Sequence, residues 1–445
     1  MDRESHLKIA FATLGCKVNQ NDAACLAAEL SSRGHRIVSL RDSADVTVIY
    51  TCTVTQKTDY QSRQLIRRAA AQNPGARIIV TGCYAQVSPE TIAAIPGVDF
   101  IVAIGESRKI PEIVSAGGRG PEPRILSAPR DTARVLEDAP VPLSSGRTRA
   151  YLKVQDGCDS FCSYCIVPVA RGRNRSLPPD RAVARALELS EKGFKEVVLT
   201  GIHLGTYGED LDPPTSLLAL LRALENAPLE FRLRLSSIEP AEFTPELVDF
   251  IGGSRRICPH LHIPLQSGDD GVLRRMNRNY SRAFFEELVN RVSRAIPGVS
   301  VGADVIGGFP GENERAFENT LRIIETLPLA YLHVFPYSKR KGTPAEGFPG
   351  QVPPHVIRDR CRALREVGRK KRVLFYRSFL GKRMNVLVEN RRARESGMLK
   401  GYSQNYIPLL FAGGDEWMNR LVEVEVSRVT DERVFGRLDE ARPAS

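Results

Sequence analysis

Short apolar segments alternate with amphipathic stretches along most of this chain, a pattern typical of proteins in which parallel strands alternate with helices. Four segments of the first 115 residues are rich in Ile, Val and Tyr and are predicted strands: Lys8–Thr13, Asp45–Tyr50, Arg77–Thr81 and Phe100–Ile104. The stretches between them carry apolar residues at helical spacing, such as Ala24, Ala27 and Ala28. The fold class is therefore α/β, beginning with a parallel sheet covered on both faces.

A second and longer series of strand–helix units starts at Tyr151. Its predicted strands are Tyr151–Gln155, Glu196–Thr200, Phe231–Leu235, His260–Pro264, Val299–Val305 and Tyr331–Pro336. Its predicted helices include Pro179–Lys192, Ser216–Asn226, Ser281–Ala295 and Glu312–Leu327. Six such units predict a partial (β/α)6 barrel, in which the loops after the strand ends build the active site.

Two changes of pattern divide the chain. The stretch from Gly117 to Arg149 is rich in Gly, Pro, Ser and Arg, and we interpret it as a linker with an edge strand at Arg124–Leu126. After a basic helix at Pro354–Arg377, alternation with period two predicts a small antiparallel β-barrel. The predicted domains span residues 6–118, 144–374 and 377–441.

Composition limits the partners and the compartment. The 445 residues include 63 basic and 52 acidic side chains, giving a net charge of +11, which suits a polyanion such as nucleic acid but does not require one. Nine cysteines in so long a chain are unlike a secreted disulfide framework. Met1–His6 lacks an apolar leader, and no apolar run approaches about 18 residues. We expect a reducing, cytoplasmic setting and no membrane partner.

Three cysteines in one loop carry the first candidate chemistry. Cys158, Cys162 and Cys165 form C-x3-C-x2-C directly after the first strand of the second series. A structural zinc site needs four protein ligands, and a ferredoxin-type cluster usually takes four thiolates. Three ligands leave one iron of a [4Fe–4S] cluster open to a small molecule. The alternative, a zinc loop with a distant fourth ligand, is weaker because the nearest downstream histidine is His203 and no ligand pair follows.

Three other cysteines each come just after a predicted parallel strand. Cys16, Cys52 and Cys83 follow the first three strands, and parallel strands end at one edge of a sheet, so the thiols are expected to meet there. Gly15 and Gly82 favour close backbone approach to a bound group. The alternative is three separate buried cysteines. The remaining cysteines are interpreted as structural: Cys25, Cys258 and Cys361.

The loop Gly157–Cys165, with Tyr164 before its last thiol, resembles the signature of the radical S-adenosylmethionine (SAM) enzymes. Together with the second cysteine set, nearly the whole chain resembles the methylthiotransferase family. The matching segments are Gly15-Cys16-Lys17-Val18-Asn19, Tyr50-Thr51-Cys52-Thr53-Val54-Thr55 and Thr81-Gly82-Cys83-Tyr84-Ala85-Gln86. The C-terminal barrel resembles the TRAM domain, an RNA-binding module.

Within the family, these segments resemble the branch acting on N6-threonylcarbamoyladenosine beside the tRNA anticodon. A branch acting on N6-isopentenyladenosine typically has Gln-Met in place of Lys17-Val18, and one modifying a ribosomal-protein aspartate has Pro-Lys. Both remain alternatives, as does a non-catalytic iron–sulfur or zinc RNA-binding protein.

The resemblance also implies cofactors, partners and further site residues. It implies two [4Fe–4S] clusters, one per cysteine set, with SAM bound at the Cys158 loop, and a tRNA anticodon stem-loop, an electron donor and a sulfur source as partners. Tyr164 is expected against the SAM adenine, with Thr200 and Gly201 near its methionyl group. The other expected contacts are Gly307, Gly308 and Pro310 with the adenine, and Gln266 in the cavity wall. Strand-ending turns or a helix cap would equally explain several of these residues.

Basic clusters are the predicted RNA contacts. They are Arg171, Arg173 and Arg175 after the cysteine loop, and Lys339, Arg340 and Lys341. Arg369–Arg372 is interpreted as a solvated helix face. Tyr402 and Tyr406 could stack on bases, although strand aromatics more often lie in a core.

Overall fold

The computed structural model describes residues 6–127, 136, 138–141 and 148–443, which form three packed units. The predicted start of the second domain at residue 144 lies outside the described residues. No helix within the described part of the chain is both long and apolar enough to cross a membrane.

The N-terminal unit is a six-stranded, wholly parallel sheet. Its strands are β1 (Lys8–Thr13), β2 (Arg36–Val38), β3 (Val46–Thr51), β4 (Arg77–Gly82), β5 (Phe100–Val102) and β6 (Arg124–Leu126), in the order β2-β1-β3-β4-β5-β6. Its helices are α1 (Lys17–Ser32), α2 (Gln56–Gln72), α3 (Cys83–Val87), α4 (Pro89–Ala93) and α5 (Ile110–Ala116). An apolar core covers each face, and every residue of β3 is buried. The parallel α/β prediction is confirmed, and the edge strand lies at Arg124–Leu126.

The second unit is a partial barrel. Its strands are β7 (Ala150–Lys153), the short pair β8 (Gln155–Asp156) and β9 (Arg175–Ser176), β10 (Glu196–Thr200), β11 (Arg232–Leu235), β12 (His260–His262), β13 (Ser300–Gly307) and β14 (Tyr331–Pro336). Two parallel sheets, β7-β10-β11 and β12-β13-β14, are joined by a parallel bridge between Leu233 and Ile257. A single apolar core fills the space between barrel and helices.

The helices around this barrel begin where the sequence provides caps. They are α6 (Val167–Arg171), α7 (Pro179–Glu191), α8 (Leu217–Asn226), α9 (Pro245–Gly253), α10 (Asp270–Arg275), α11 (Arg282–Ala295), α12 (Glu314–Thr326) and α13 (Pro354–Arg377). Ser216, Thr244, Asp269, Ser281 and Asn313 each accept a hydrogen bond from a backbone N–H of the first turn. Such caps satisfy donors that a helix start leaves free.

The C-terminal unit is a closed barrel of β15 (Arg383–Val388), β16 (Leu399–Ser403), β17 (Pro408–Phe411), β18 (Leu421–Val429) and β19 (Val434–Pro443), in the order β15-β16-β17-β19-β18. Four pairings are antiparallel as predicted, but β17 and β19 are parallel. A closed ring of five strands cannot alternate direction at every pair, so one parallel pair is required.

Polar contacts fix the units to one another. Arg340 of the second unit donates hydrogen bonds of 2.6 Å to Asp59 Oδ2 and to Thr53 Oγ1, beside the start of α2. Arg232 and Arg234 of strand β11 donate hydrogen bonds to backbone carbonyls of the C-terminal barrel. The space enclosed by the three units holds the candidate site.

Candidate active site

Cys16, Cys52 and Cys83 lie at the carboxyl edge of the N-terminal sheet. Cys16 precedes α1, Cys52 follows β3, and Cys83 begins α3 directly after β4. Burial, opposed by the charge of Arg171 and assisted by those of Cys16 and Cys52, raises the pKa of the Cys83 thiol to about 12. Burial also raises the pKa of Cys52. These thiols are close enough to act on one another, and a cationic metal would favour their ionised forms.

Two glycines give this edge its shape. Gly15 has φ of +121°, and a Cβ there would lie 3.0 Å from Cys52 Cβ. Gly82 has φ of +94°, and a Cβ there would lie 2.5 Å from the Thr51 carbonyl oxygen. Both positions lie in the left-handed region that favours glycine, and neither has room for a side chain.

Cys158, Cys162 and Cys165 lie in the loop between β8 and α6. Burial raises the pKa of Cys165 to about 12 and also raises that of Cys162. Cys158 differs: burial opposes ionisation, but a hydrogen bond with His203 Nδ1, 3.4 Å from its Sγ, lowers its pKa. His203 Nε2 is bonded to Glu242, and, against the effect of burial, these two contacts raise the pKa of His203 to about 10.

Zinc and a cubane place their thiolate ligands differently. Sulfurs that share one tetrahedral zinc lie about 3.8 Å apart, given a Zn–S distance of about 2.3 Å. A cubane binds each thiolate on a different iron. Among the described residues, His262, Asp304 and His333 form the only group of three potential ligand atoms within 4.8 Å of one another.

The two cysteine sets are joined by a direct contact between units. α3, which begins at Cys83, packs against α6, which follows the Cys158 loop. Arg171 at the end of α6 hydrogen-bonds the Cys83 thiol and the Asn19 side chain. Both of its bonds to Asp156 measure 2.9 Å. The relative position of the two sets is thus fixed by buried polar contacts.

A cavity of about 1400 Å³ lies among the three units. Its wall includes Cys16 and Cys52, Thr200 and Gly201 at the end of β10, and Tyr406 of the C-terminal barrel. Its charged lining residues are Lys17, Lys57, Asp304, Lys339, Arg358, Arg365 and Arg372. With six cations against one carboxylate, the cavity suits an anionic occupant.

The single carboxylate is already engaged. Asp304 Oδ1 lies 3.1 Å from His262 Nε2 and 3.3 Å from His333 Nδ1. Burial opposes ionisation, but the neighbouring His262 and His333 hold the pKa of Asp304 below its usual range. Ser237 Oγ bonds the other nitrogen of His262 at 2.6 Å. These residues form a polar group on the inner face of β12–β14.

Comparison with known proteins matches this chain to two family models and to relatives of similar length. Residues 8–103 match the model of the Uncharacterized protein family UPF0004, and residues 152–324 match that of the Radical SAM superfamily. The threonylcarbamoyladenosine tRNA methylthiotransferase MtaB of Bacillus subtilis is 40% identical over 94% of this chain and 93% of its own length. A tRNA-2-methylthio-N(6)-dimethylallyladenosine synthase of Pelotomaculum thermopropionicum is 32% identical over 94% and 95%.

The chain belongs to the radical SAM methylthiotransferase family. It is accordingly an enzyme that uses SAM and an iron–sulfur cluster. Among solved structures, the radical SAM methyltransferase TsrM of Kitasatospora setae has a TM-score of 0.57 at 14% identity, covering 76% of this chain and 73% of its own. The radical SAM enzyme OxsB has a TM-score of 0.53 at 12% identity, covering 77% and 55%. These two likenesses show the fold alone.

The residues expected to contact SAM lie at the carboxyl ends of the barrel strands. Tyr164 packs edge-on against Phe309, with ring centroids 6.2 Å apart. Gly307 and Gly308 face α13, and a Cβ on Gly308 would lie 2.4 Å from the Ile357 side chain. Packing alone therefore accounts for Gly308. Gln266 and Pro310, the other two expected contacts, lie beside the segment that contains Gly307 and Gly308. The backbone N–H of Gln266 donates a hydrogen bond to the Asp304 carbonyl, and the Pro310 carbonyl accepts one from Arg275.

Three of the predicted RNA contacts are instead internal. Arg171 and Arg175 are 3% and 8% exposed, and Arg340, at 7%, is paired with Asp59. Arg171 pairs with Asp156, and Arg175 donates to the Arg171 carbonyl at 2.9 Å. Guanidinium groups already bonded inside the protein do not reach a phosphate, which corrects the expectation for these three. Arg173, Lys339 and Lys341 are exposed.

We expect Arg171→Lys to reduce stability without weakening RNA binding. Lysine keeps the charge but cannot reproduce the paired bonds to Asp156 together with the bond to Asn19. We expect a loss of about 1–2 kcal/mol, seen as a lower thermal midpoint, with tRNA affinity unchanged within about twofold. A large loss of affinity in the folded variant would restore the RNA-contact interpretation.

A row of arginines on α13 was not predicted as a group: Arg358 and Arg365 were not singled out, and Arg372 was interpreted only as part of a solvated helix face. Arg358, Arg365 and Arg372 are seven residues apart, so they share one face of the helix, and all three are exposed to the cavity. Successive members are about 10.5 Å apart along the axis. Within the described residues none of them forms an ion pair. Their spacing in the sequence was a usable signal. We call these three residues the arginine row.

His203 was considered only as a distant zinc ligand, and its position indicates a different role. Hydrogen bonds to cluster thiolates are among the determinants of the reduction potential. We therefore expect His203→Ala to lower the cluster potential and to slow SAM cleavage about tenfold. Potentiometric titration followed by electron paramagnetic resonance measures the shift. Glu242→Gln, which keeps His203 in place, should have a smaller effect.

Proposed function

We propose that this protein converts N6-threonylcarbamoyladenosine, next to the anticodon of tRNA, to its 2-methylthio derivative. The proposal rests on relatives named for this reaction at 35–40% identity over more than nine-tenths of the chain. The structural observation that supports it is a basic cavity bordered by Cys16 and Cys52 and by the end of barrel strand β10. The cavity wall thus combines two thiols of the sheet-edge set with a strand end of the radical SAM barrel.

We further propose that each cysteine set holds a [4Fe–4S] cluster. When bound, SAM and the cluster at Cys158, Cys162 and Cys165 supply a radical able to remove hydrogen from an aromatic carbon, which no side chain can do. Tyr164 and the segment around Phe309 form the wall against which the SAM adenine would lie. Cys16, Cys52 and Cys83 would hold the second cluster and its sulfur at the cavity edge. An electron donor and a sulfur source complete the reaction, in the reducing cytoplasm.

The cavity's positive charge supports an RNA substrate. The arginine row offers exposed cations to the phosphates of a single-stranded loop, as do Lys57 and Lys339 of the same cavity. Phosphate contacts position the RNA, and the target base would be splayed out of the anticodon loop into the cavity. Tyr402 and Tyr406 line the same space, where their rings stack on each other with centroids 4.8 Å apart.

The test is an anaerobic assay on defined RNA. Reconstituted protein, SAM and reductant are mixed with anticodon stem-loops carrying either N6-threonylcarbamoyladenosine or N6-isopentenyladenosine, and the nucleosides are identified by mass spectrometry. We expect 2-methylthio product from the first RNA and about eight irons per chain. Product only from the second RNA would assign the other tRNA branch. No product from either, with SAM cleaved, would indicate the ribosomal-protein substrate.

A further inference from the structure

Lys17 is a cation in the cavity wall that has no partner among the residues that the structure describes. It is the first residue of α1 and follows Cys16 directly. Its side chain lines the cavity, and it forms no hydrogen bond or ion pair with any residue that the structure describes. A cation held in a largely buried position without a counter-charge costs free energy, and that cost is recovered when an anion binds.

Glu196, the carboxylate whose charge acts on Lys17, is already paired with other cations. The charges that act on it come chiefly from Arg234, Glu196 and Arg149. Glu196 is fully buried and accepts two bonds from Arg234 at 2.9 Å each. It also accepts a 2.7 Å bond from Arg232 and lies 3.8 Å from Arg149.

Arg149 also pairs with Glu389. This charged group therefore has four cations, Lys17, Arg149, Arg232 and Arg234, against the two carboxylates of Glu196 and Glu389. Of these four cations only Lys17 lines the cavity, so it is the one that an anion bound there can reach.

We propose that Lys17 binds the carboxylate of the threonyl group on the substrate base and thereby selects the threonylcarbamoyl modification. This inference rests on the proposed function. Cys16, the residue before Lys17, borders the place where carbon C2 of the adenine must arrive. C2 and C6 are both bonded to N1, so a substituent on N6 lies along the same edge of the base as C2. The ribose and its phosphates leave from the opposite side, at N9, so the anion that reaches Lys17 belongs to the modified base.

The test uses two anticodon stem-loops that differ in one group, the threonyl carboxylate or its neutral carboxamide. Wild-type enzyme is expected to prefer the carboxylate RNA by about 10- to 100-fold in kcat/KM, the range for a charge-assisted hydrogen bond of about 1.5–3 kcal/mol. In the Lys17→Met variant the ratio of kcat/KM for the two RNAs should fall to about one, mainly because KM for the carboxylate RNA rises. The Lys17→Arg variant keeps the charge and should restore part of this preference.

A matched control separates base recognition from general attraction of RNA. Lys57 lines the same cavity and forms no ion pair with the described residues, but it belongs to α2. Lys57→Met should lower kcat/KM for both RNAs alike and leave their ratio unchanged. Iron content near eight per chain in each variant shows that the clusters still assemble.

The outcomes distinguish this inference from the function on which it rests. Methylthio product from wild type, with the full preference retained in Lys17→Met, overturns the role of Lys17 and leaves the proposed function intact. Equal loss on both RNAs in Lys17→Met would make Lys17 a general contributor to binding and also overturns the inference. Absence of product from wild type on the carboxylate RNA overturns both.

Discussion

Cys16→Ala and Cys83→Ala, made separately, are each expected to abolish methylthiolation while SAM cleavage continues. Both thiols belong to the proposed sulfur-holding site at the sheet edge, whereas the Cys158 loop would retain its own cluster. Iron should fall from about eight to about four per chain, and product formation by more than about a thousandfold. Iron analysis, release of 5′-deoxyadenosine and nucleoside mass spectrometry measure the three quantities.

Two further variants serve as controls. Cys25→Ala removes a buried thiol from the same helix that begins beside Cys16, and it should leave eight irons and full activity. Cys158→Ala should give the reverse pattern, with about four irons and no SAM cleavage. Cys16 is exposed, so loss of folding is not expected in its variant. If Cys16→Ala still inserted sulfur, the second cluster would have to be placed elsewhere.

Neutralising the arginine row is expected to weaken tRNA binding on the order of a hundredfold. Each exposed arginine in contact with a phosphate releases condensed counterions, and each such contact contributes about 0.7–0.9 to the slope of log affinity against log salt. The triple variant Arg358→Gln, Arg365→Gln, Arg372→Gln should therefore reduce that slope by about two to three. Fluorescence anisotropy with labelled anticodon stem-loop at several salt concentrations measures both affinity and slope.

The same helix provides the comparison. Arg362 is paired with Asp359, Arg369 is paired with Glu366 and Asp431, and neither arginine lines the cavity. The double variant Arg362→Gln, Arg369→Gln removes two charges and should change affinity less than about threefold. An unchanged slope in the triple variant would place the RNA on another surface.

The regular elements were predictable because each is determined by local sequence. Runs such as Glu196–Thr200 and Tyr331–Pro336 are apolar and β-branched, and the structure has strands with those same bounds. Strand β2 was missed because it is three residues long, half exposed and at the sheet edge. The parallel pair in the C-terminal barrel follows from closure of the whole ring, which no single strand sequence reveals.

The site was predictable where it depends on strand ends and not where it depends on distant partners. Reasoning from strand ends brings Cys16, Cys52 and Cys83 to one edge, and the structure has them there, while their role as ligands stays a prediction. Arg171 was assigned to RNA because its sequence context resembles a basic surface. Its contact Asn19 is 152 residues away, and only the assembled fold shows that the pair is buried.

The attachment of the C-terminal barrel has a consequence for protein engineering. Its backbone carbonyls at Asn385, Tyr402 and Gln404 accept bonds from Arg232 and Arg234, and the ring of Tyr406 lies 4.5 Å from the Arg234 guanidinium. A protein truncated near residue 377 would leave Arg232 and Arg234 without these acceptors. It would also expose that end of the partial barrel to water. The C-terminal barrel is thus a structural part of the catalytic unit, and deleting it would not give a minimal enzyme.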